Sequence, residues 1–386
     1  MVNYDVLVAG AGTVGCATAV TLSRLGLRVA IIGPKSPIDD AMSEPLAGMP
    51  YDNRVFAIRP STKQFLMESY FWDDLASERA QSVRRIQVDG ASRPSLTLDA
   101  HDAGVLQLAC IVENDNLKRA IGRHVRSEQS VEFLGGEILS IEQKLHFVRV
   151  VTSSGEMTCK LLVAADGSDS VVRQFSGLSV ATRDYGCTGL VANFTTALAH
   201  QNTAYQWMGQ DGVIAYLPLP GNLVSMVWSV RNELAQEVNE HVLCDLLAER
   251  YNPLKITSLN SAIGRFPLRR TLPQSVSLGR VVLVGDAAHQ FLPLAGQGLN
   301  VGLSDTAKLC SLIKAYGMID PGSLSVINRY RRARKEEIES LTWFTETIHD
   351  MASDESQLCR SLQDIGFAAV RGSNILRRLF IDKAMG

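Results

Sequence analysis

Nothing in the sequence pairs its cysteines. The seven, Cys16, Cys110, Cys159, Cys187, Cys244, Cys310 and Cys359, are scattered, odd in number and free of any CxxC spacing. That argues against a disulfide framework and a cysteine-built zinc site, and a reducing compartment, the cytoplasm, is expected. The seven histidines lack metal-ligand spacing as well, so no metal centre is expected. An excess of one charge is also missing, and a formal net charge of -2 gives no reason to expect nucleic acid as a partner. No Ser/His/Asp or paired-carboxylate constellation is recognisable, and there is no internal repeat or low-complexity tract. Residues 6–23 carry no charge, but Gly10, Gly12 and Gly15 interrupt the run and Asp5 stands where a secretion signal is basic. The run therefore reads as neither a membrane span nor a signal peptide, and the N-terminus as retained and folded.

What is present is an ordinary globular composition, 46% hydrophobic and 20% charged over 386 residues, enough for two or three domains. The densest stretch is 279–305. Residues 281–284 form an apolar run, β-branched at three positions, which reads as a strand buried on both faces. It ends at Gly285-Asp286. Pro293 and Gly296-Gln297-Gly298 follow, and a helical pattern opens at Leu299 and Asn300. Such a junction points backbone N–H groups at a ligand, because a helix N-terminus favours a nearby anion by about 0.3–2 kcal/mol.

The N-terminus repeats the theme. An apolar strand over 4–9 leads into Gly10-Ala11-Gly12-Thr13-Val14-Gly15, then a helical pattern, then a second strand over 27–32. A GxGxxG in that βαβ setting reads as a dinucleotide site. The acid that normally ends the second strand and accepts from the adenosine ribose is replaced by Gly33-Pro34. Backbone, water, or a loop residue such as Asp39 or Asp40 is then left to hold the ribose, and one lost bond costs about 1–3 kcal/mol.

Residues 36–53 read as an exposed, movable loop that closes on Asp52-Asn53-Arg54, with a helix from Ser61. Arg54 carries a guanidinium fork that matches phosphate geometry. Short strands are expected over 83–108, and Asn114 or Asp115 is placed to cap a helix over 117–125. Strands over 131–133, 138–142 and 148–152 suggest a meander. Another buried strand, 161–165, ends in Asp166-Gly167 with Ser170 and Arg173 opening a helix. Residues 185–230 are strand-rich, and their aromatic and aliphatic side chains read equally as sheet core or as a pocket for a greasy substrate. Helical patterns run over 306–316 and 324–350. The basic run 329–334, followed by Glu336, Glu337 and Glu339, reads as a solvated face. Residues 367–386 place Leu376, Leu379 and Phe380 against Arg371, Arg377, Arg378 and Lys383, as a helix lying on a membrane surface or packed on the protein.

Three of these segments resemble signatures of the FAD-dependent aromatic-ring hydroxylases, the para-hydroxybenzoate hydroxylase type. Residues 285–305 resemble GDAAHxxxPxxGxGxNxGxxD, residues 166–173 resemble DGxxSxVR, and residues 52–57 resemble D-x-R-x-x-A. Residues 204–230 and the tail are similar to the narrower group that acts in ubiquinone biosynthesis. The resemblance implies an α/β fold, an FAD-binding Rossmann-like domain (1–75, 111–182, 266–320) with an inserted mixed β-sheet substrate domain (76–110, 183–265) and C-terminal helices (321–386). It implies FAD contacts from Gly10, Ala11, Gly12, Thr13, Val14 and Gly15, from Arg54 at the pyrophosphate, and from Asp166 and Gly167. Asp286 would hold the ribityl chain, and Pro293, Gly296, Gln297, Gly298, Leu299 and Asn300 would face the pyrimidine edge of the flavin. Leu292 stands where many relatives have His. His289 reads as structural rather than as a base. The implied activity is hydroxylation of a polyprenylated phenol with NAD(P)H and O2. The implied setting is the cytoplasm, with peripheral association at the inner membrane surface or membership of a biosynthetic complex. The alternatives are a hydroxylase of a soluble aromatic acid on the same fold and a non-catalytic scaffold subunit.

Overall fold

The distribution of apolar residues decides which sheet each strand joins. In this computed structural model, which describes residues 3–37, 39, 46–90, 96–209, 212–291 and 297–353, the continuous apolar runs gather into one mainly parallel sheet. It contains β1 (Tyr4–Ala9), β2 (Val29–Gly33), β8 (Val131–Gly135), β9 (Ile138–Gln143), β10 (Val148–Thr152), β11 (Gly155–Ala164), β18 (Ser277–Leu278) and β19 (Val281–Leu283). The order is β18-β19-β11-β1-β2-β8, with β1, β2, β8, β11 and β19 parallel and β10 and β9 appended to β11 as an antiparallel meander. Every residue of β2 and β19 is buried, as strands covered on both faces require.

Helices cover this sheet. They are α1 (Thr13–Ser23), α2 (Pro60–Glu68), α3 (Asn114–Ser127), the short α4 (Val171–Phe175), α7 (Gln297–Tyr316) and α8 (Leu324–Ser353), the last two reached after α5 (Asn232–Glu237) and α6 (Glu240–Arg250) of the second sheet. A small antiparallel sheet of β3 (Val55–Ile58), β4 (Gln81–Val83) and β7 (Ala109–Glu113) sits between the two larger ones. The helix expected from Asn114 or Asp115 begins one residue earlier than its proposed caps. Glu113 is the N-cap and makes no side-chain cap bond, because its carboxylate is already held by Arg79 and by the N–H of Asp52.

The second large sheet is mixed. It runs β16 (Ile256–Leu259), β12 (Val180–Thr196), β15 (Leu223–Arg231), β14 (Gly212–Leu219), β13 (Thr203–Gly209), β5 (Arg85–Gly90) and β6 (Leu96–Asp99), with β17 (Gly264–Pro273) also on β12. Its strands alternate, so its two faces differ. Phe194, Ile214, Tyr216, Met226 and Trp228 point one way and pack with Leu243 and Leu247 of α6. Trp207 lies 5.2 Å from the Tyr216 ring and 5.6 Å from Tyr251 on that side. These aromatics are sheet core. The other face turns toward β3: Leu217 and Ala204 share a cluster with Val55 and Tyr51, and Asn193 donates to the carbonyls of Tyr51 and Asp52 at 3.0 and 3.2 Å. The end of α8 closes on the same sheet, where Glu346 pairs with Arg183 and Arg270.

Candidate cofactor-binding site

Each glycine of the N-terminal turn does a different job. Gly10 has φ +112, and a Cβ there would stand 2.2 Å from the carbonyl oxygen of Ala165. At Gly15 a Cβ would meet the Gly10 carbonyl oxygen at 2.1 Å, so its absence lets α1 close on the loop. Gly12 is exposed, and a Cβ there would meet nothing within 4 Å. It is the N-cap of α1 and supplies no side-chain cap, which leaves the first N–H groups of the helix open. Open space before uncapped N–H groups is the shape that a pyrophosphate needs.

The other signatures converge on this turn. A Cβ on Gly10 would lie 2.9 Å from the backbone nitrogen of Asp166. On the other side, Gly285 and Gly302 approach Val14 so closely that a Cβ on either would meet its methyls at 3.3 and 2.9 Å. Arg173 ties two of the signatures together, donating to the Ala287 carbonyl at 2.9 Å and the Ser168 carbonyl at 2.6 Å while itself buried. Asp166 is occupied locally. Its oxygens accept from Ser170 Oγ at 2.6 Å and from the N–H of Val172 at 3.0 Å, fixing the start of α4. Gly167, at φ +86, makes the turn between them.

Asp286 sits in a short 3-10 turn, Gly285–Ala287, and is exposed, without a hydrogen bond among the described residues. Its Oδ1 lies 3.9 Å from the Cβ position of Gly298 in the first turn of α7. Gln297, Leu299 and Asn300 of that turn are buried. The Asn300 side chain serves the fold: it donates to the Ala57 carbonyl at 2.9 Å and accepts from the N–H of Arg59 at 3.1 Å, locking α7 to the β3–α2 junction. Leu292, Pro293, Gly296, Asp40 and the tail helix lie outside the described residues.

Arg54 is exposed, its guanidinium 5.3 Å from the Phe56 ring centroid and without an ion pair among the described residues. Its carbonyl accepts from the N–H of Asn114 at 2.9 Å, which puts it at the start of α3. One turn further along that helix, Lys118 lines a crevice with Gly12, Thr13, Cys16, Pro37 and Ile121. Lys118 and an open helix N-terminus thus border one crevice, and Arg54 stands where the helix carrying Lys118 begins.

Sequence reasoning missed the supports beneath this site. Asp305 is fully buried, and its carboxylate accepts from the Gly285 N–H at 2.8 Å, from His289 Nε2 at 2.7 Å and from Arg334 Nε at 2.6 Å. His289 is therefore a structural partner of Asp305, stacked on Phe291 at 5.1 Å. The solvated reading of 329–334 fails at Arg334, which is 1% exposed, although Arg331 and Arg332 are exposed as expected. Burial works against its charge, but Asp305, Tyr330 and Glu337 outweigh that and hold its pKa above the ordinary arginine value. Only the final Asp of the 285–305 signature hinted at such a partner. Arg79 was missed too. It forms a two-pronged pair with Glu113 at 2.7 and 2.7 Å and donates to the carbonyls of Leu46, Met49 and Pro50. The end of the loop expected to move is thereby pinned. Arg59 is buried as well, and burial holds its pKa below the ordinary value.

Comparison with known proteins agrees with this geometry. Residues 3–345 match the FAD binding domain family. The chain is 30% identical to the ubiquinone hydroxylase UbiL of Rhodospirillum rubrum, covering 99% of this chain and 89% of that protein. It is 27% identical to the 3-demethoxyubiquinol 3-hydroxylase of Escherichia coli K12, covering 99% and 98%. The fold matches the crystal structure of p-nitrophenol 4-monooxygenase PnpA from Pseudomonas putida at a TM-score of 0.79 and 20% identity, over 99% of this chain and 98% of the other. Open helix N-terminus, converging signatures and whole-length similarity lead to one conclusion: the chain belongs to the FAD-binding-domain family and, within it, to the ubiquinone-biosynthesis hydroxylases.

Proposed function

We propose that this chain hydroxylates the ring of a polyprenylated phenol in ubiquinone biosynthesis, with FAD as its cofactor, NAD(P)H as reductant and O2 as oxidant. In this reading the backbone of residues 10–15 holds the pyrophosphate at the N-terminus of α1, and Arg54 adds its guanidinium. Asp166 and Gly167 shape the turn beside Gly10. Asp286 accepts from the ribityl hydroxyls, while residues 297–300 turn N–H groups toward the pyrimidine edge, where negative charge collects on reduction. FAD, when bound, supplies electron transfer and oxygen activation. The protein's task is to hold it, to orient the ring against it and to keep water out.

One observation carries the choice of substrate: the central strands of the second sheet turn uncharged side chains to β3. By strand register that face presents Gly189, Val191 and Asn193 of β12, Ser225, Val227 and Ser229 of β15, Val213, Ala215 and Leu217 of β14, and Gln206 and Met208 of β13. The basic side chains on that face stand at its edge, Arg231 at the end of β15 and Arg270 on β17, and Arg270 is already paired with Glu346, so the centre of the face suits an apolar ring better than a carboxylate. The names of the relatives support the same choice. Association with a membrane surface is part of this proposal and rests on the basic amphipathic pattern of 367–386. No described helix is long and apolar enough to cross a membrane.

The test is to load purified protein with FAD and supply NADH or NADPH, O2 and a short-chain polyprenylated phenol. The expected result is consumption of reductant that rises with phenol, and a product that has gained one oxygen atom from O2. Turnover of a benzoate in place of the phenol would select the soluble-acid reading, and failure to take up FAD would leave only a scaffold.

A further inference from the structure

The second strand of a dinucleotide fold ordinarily ends in a carboxylate that accepts from the ribose hydroxyls. Here β2 ends at Gly33, and the space beside it is taken, since a Cβ there would meet the Ala11 Cβ at 3.2 Å. A carboxylate is therefore missing, and the packing is built around its absence. Directly beside the open Gly12, Lys118 projects from α3 into the crevice at the N-terminus of α1. It is the only charged residue among those lining the crevice. It is half-buried, and no described residue pairs with it.

A lysine cannot do what the lost acid does. An ammonium group donates and never accepts, so it cannot take the hydroxyl protons of a ribose diol as a carboxylate does, and as a point charge it favours anionic phosphate oxygens. We infer that Lys118 replaces the missing carboxylate in holding the adenylate half of FAD, converting recognition of the ribose hydroxyls into charge recognition of the phosphates. The inference rests on the FAD reading above and adds a residue that the family signatures do not contain. Two properties follow. Affinity for FAD weakens with ionic strength more steeply than a hydroxyl-to-carboxylate contact allows, because salt screens a half-exposed cation. The site also discriminates poorly at the ribose 2′ position.

The experiment uses full-length apoprotein titrated with FAD by flavin fluorescence at several salt concentrations, with wild type, Lys118→Met and Lys118→Arg. Lys118→Met is expected to raise the Kd for FAD by about ten- to a hundredfold, the range of one charge-assisted hydrogen bond, and to flatten the salt dependence. Lys118→Arg should restore both, and the thermal midpoints of the three proteins should coincide. In competition against FAD, ADP and 2′-deoxy-ADP should displace it with Kd values within about threefold, since β2 ends without a carboxylate to read the hydroxyl. An unchanged Kd and salt slope in Lys118→Met would overturn the inference, as would a tenfold or greater preference for ADP over 2′-deoxy-ADP. Wild-type protein that takes up no FAD would refute the cofactor reading instead, and the two failures are distinct.

Discussion

Asp166 and Asp286 occupy equivalent places, each following a buried parallel strand (β11 and β19) and each next to a glycine with positive φ. The resemblance implies an FAD contact for both. Asp166 has both oxygens engaged by α4, through Ser170 and Val172, whereas Asp286 has no partner among the described residues and faces the opening of α7. The reason lies in a third acid. At the second junction Asp305, arriving from α7, accepts the N–H of Gly285 and so secures the strand end, which leaves Asp286 free. At the first junction no such acid arrives, and Asp166 must fix the local turn itself. A strand-end carboxylate is available to a ligand only when another group has taken over the backbone.

Breaking the supporting acid should have the largest effect. Asp305→Ala leaves Arg334 buried without its partner and uncaps Gly285, and is expected to cost about 3–5 kcal/mol in denaturant unfolding. A loss under about 1 kcal/mol would show that Asp305 does not relieve Asp286 of structural duty. Next comes Asp286→Ala, expected to weaken FAD binding about ten- to a hundredfold while apoprotein stability stays within about 0.5 kcal/mol. Full FAD content in that variant would erase the contrast between the two aspartates. Ser170→Ala removes a helix cap and should cost about 1 kcal/mol of stability, with a smaller change in FAD affinity than Asp286→Ala. If the order of the two affinities is reversed, Asp166 and its partner belong to the ligand and not to the fold.

The smallest effect concerns a group far from the contrast. His124 bonds Arg24 through Nδ1 at 2.8 Å, and burial, reinforced by Arg24, holds its pKa below the ordinary histidine value. The folded state therefore favours the neutral ring, so its contribution is present above about pH 6.5 and is lost as pH falls through the depressed value. Wild type should lose stability on acidification that His124→Gln does not lose. Parallel pH profiles would contradict this.

The glycine turns were legible because their requirements are local. A positive φ at Gly10 and a close approach at Gly15 can be satisfied only by glycine, whatever surrounds them. The continuous apolar strands were legible for a similar reason, since burial on both faces leaves a mark in every residue. The resemblance places the helix end at Asn300 toward the cofactor and says nothing of its side chain, which joins α7 to β3; polar residues at a helix start serve either neighbour equally well. Arg334 was read as solvated because its own segment is basic, and nothing nearby in sequence announces Asp305.

The chain's pattern by itself determined the βαβ unit, the two strand-to-helix junctions and the absence of an acid after β2, because each depends on spacing and backbone geometry within about thirty residues. Tertiary structure alone decided which carboxylate is free, which arginines are buried and which face of the second sheet turns to β3. Those outcomes depend on partners 16 to 142 positions away, such as His289 with Asp305 and Asn193 with Tyr51. A polar side chain is defined by what satisfies it, and no local pattern records a partner that distant in the chain.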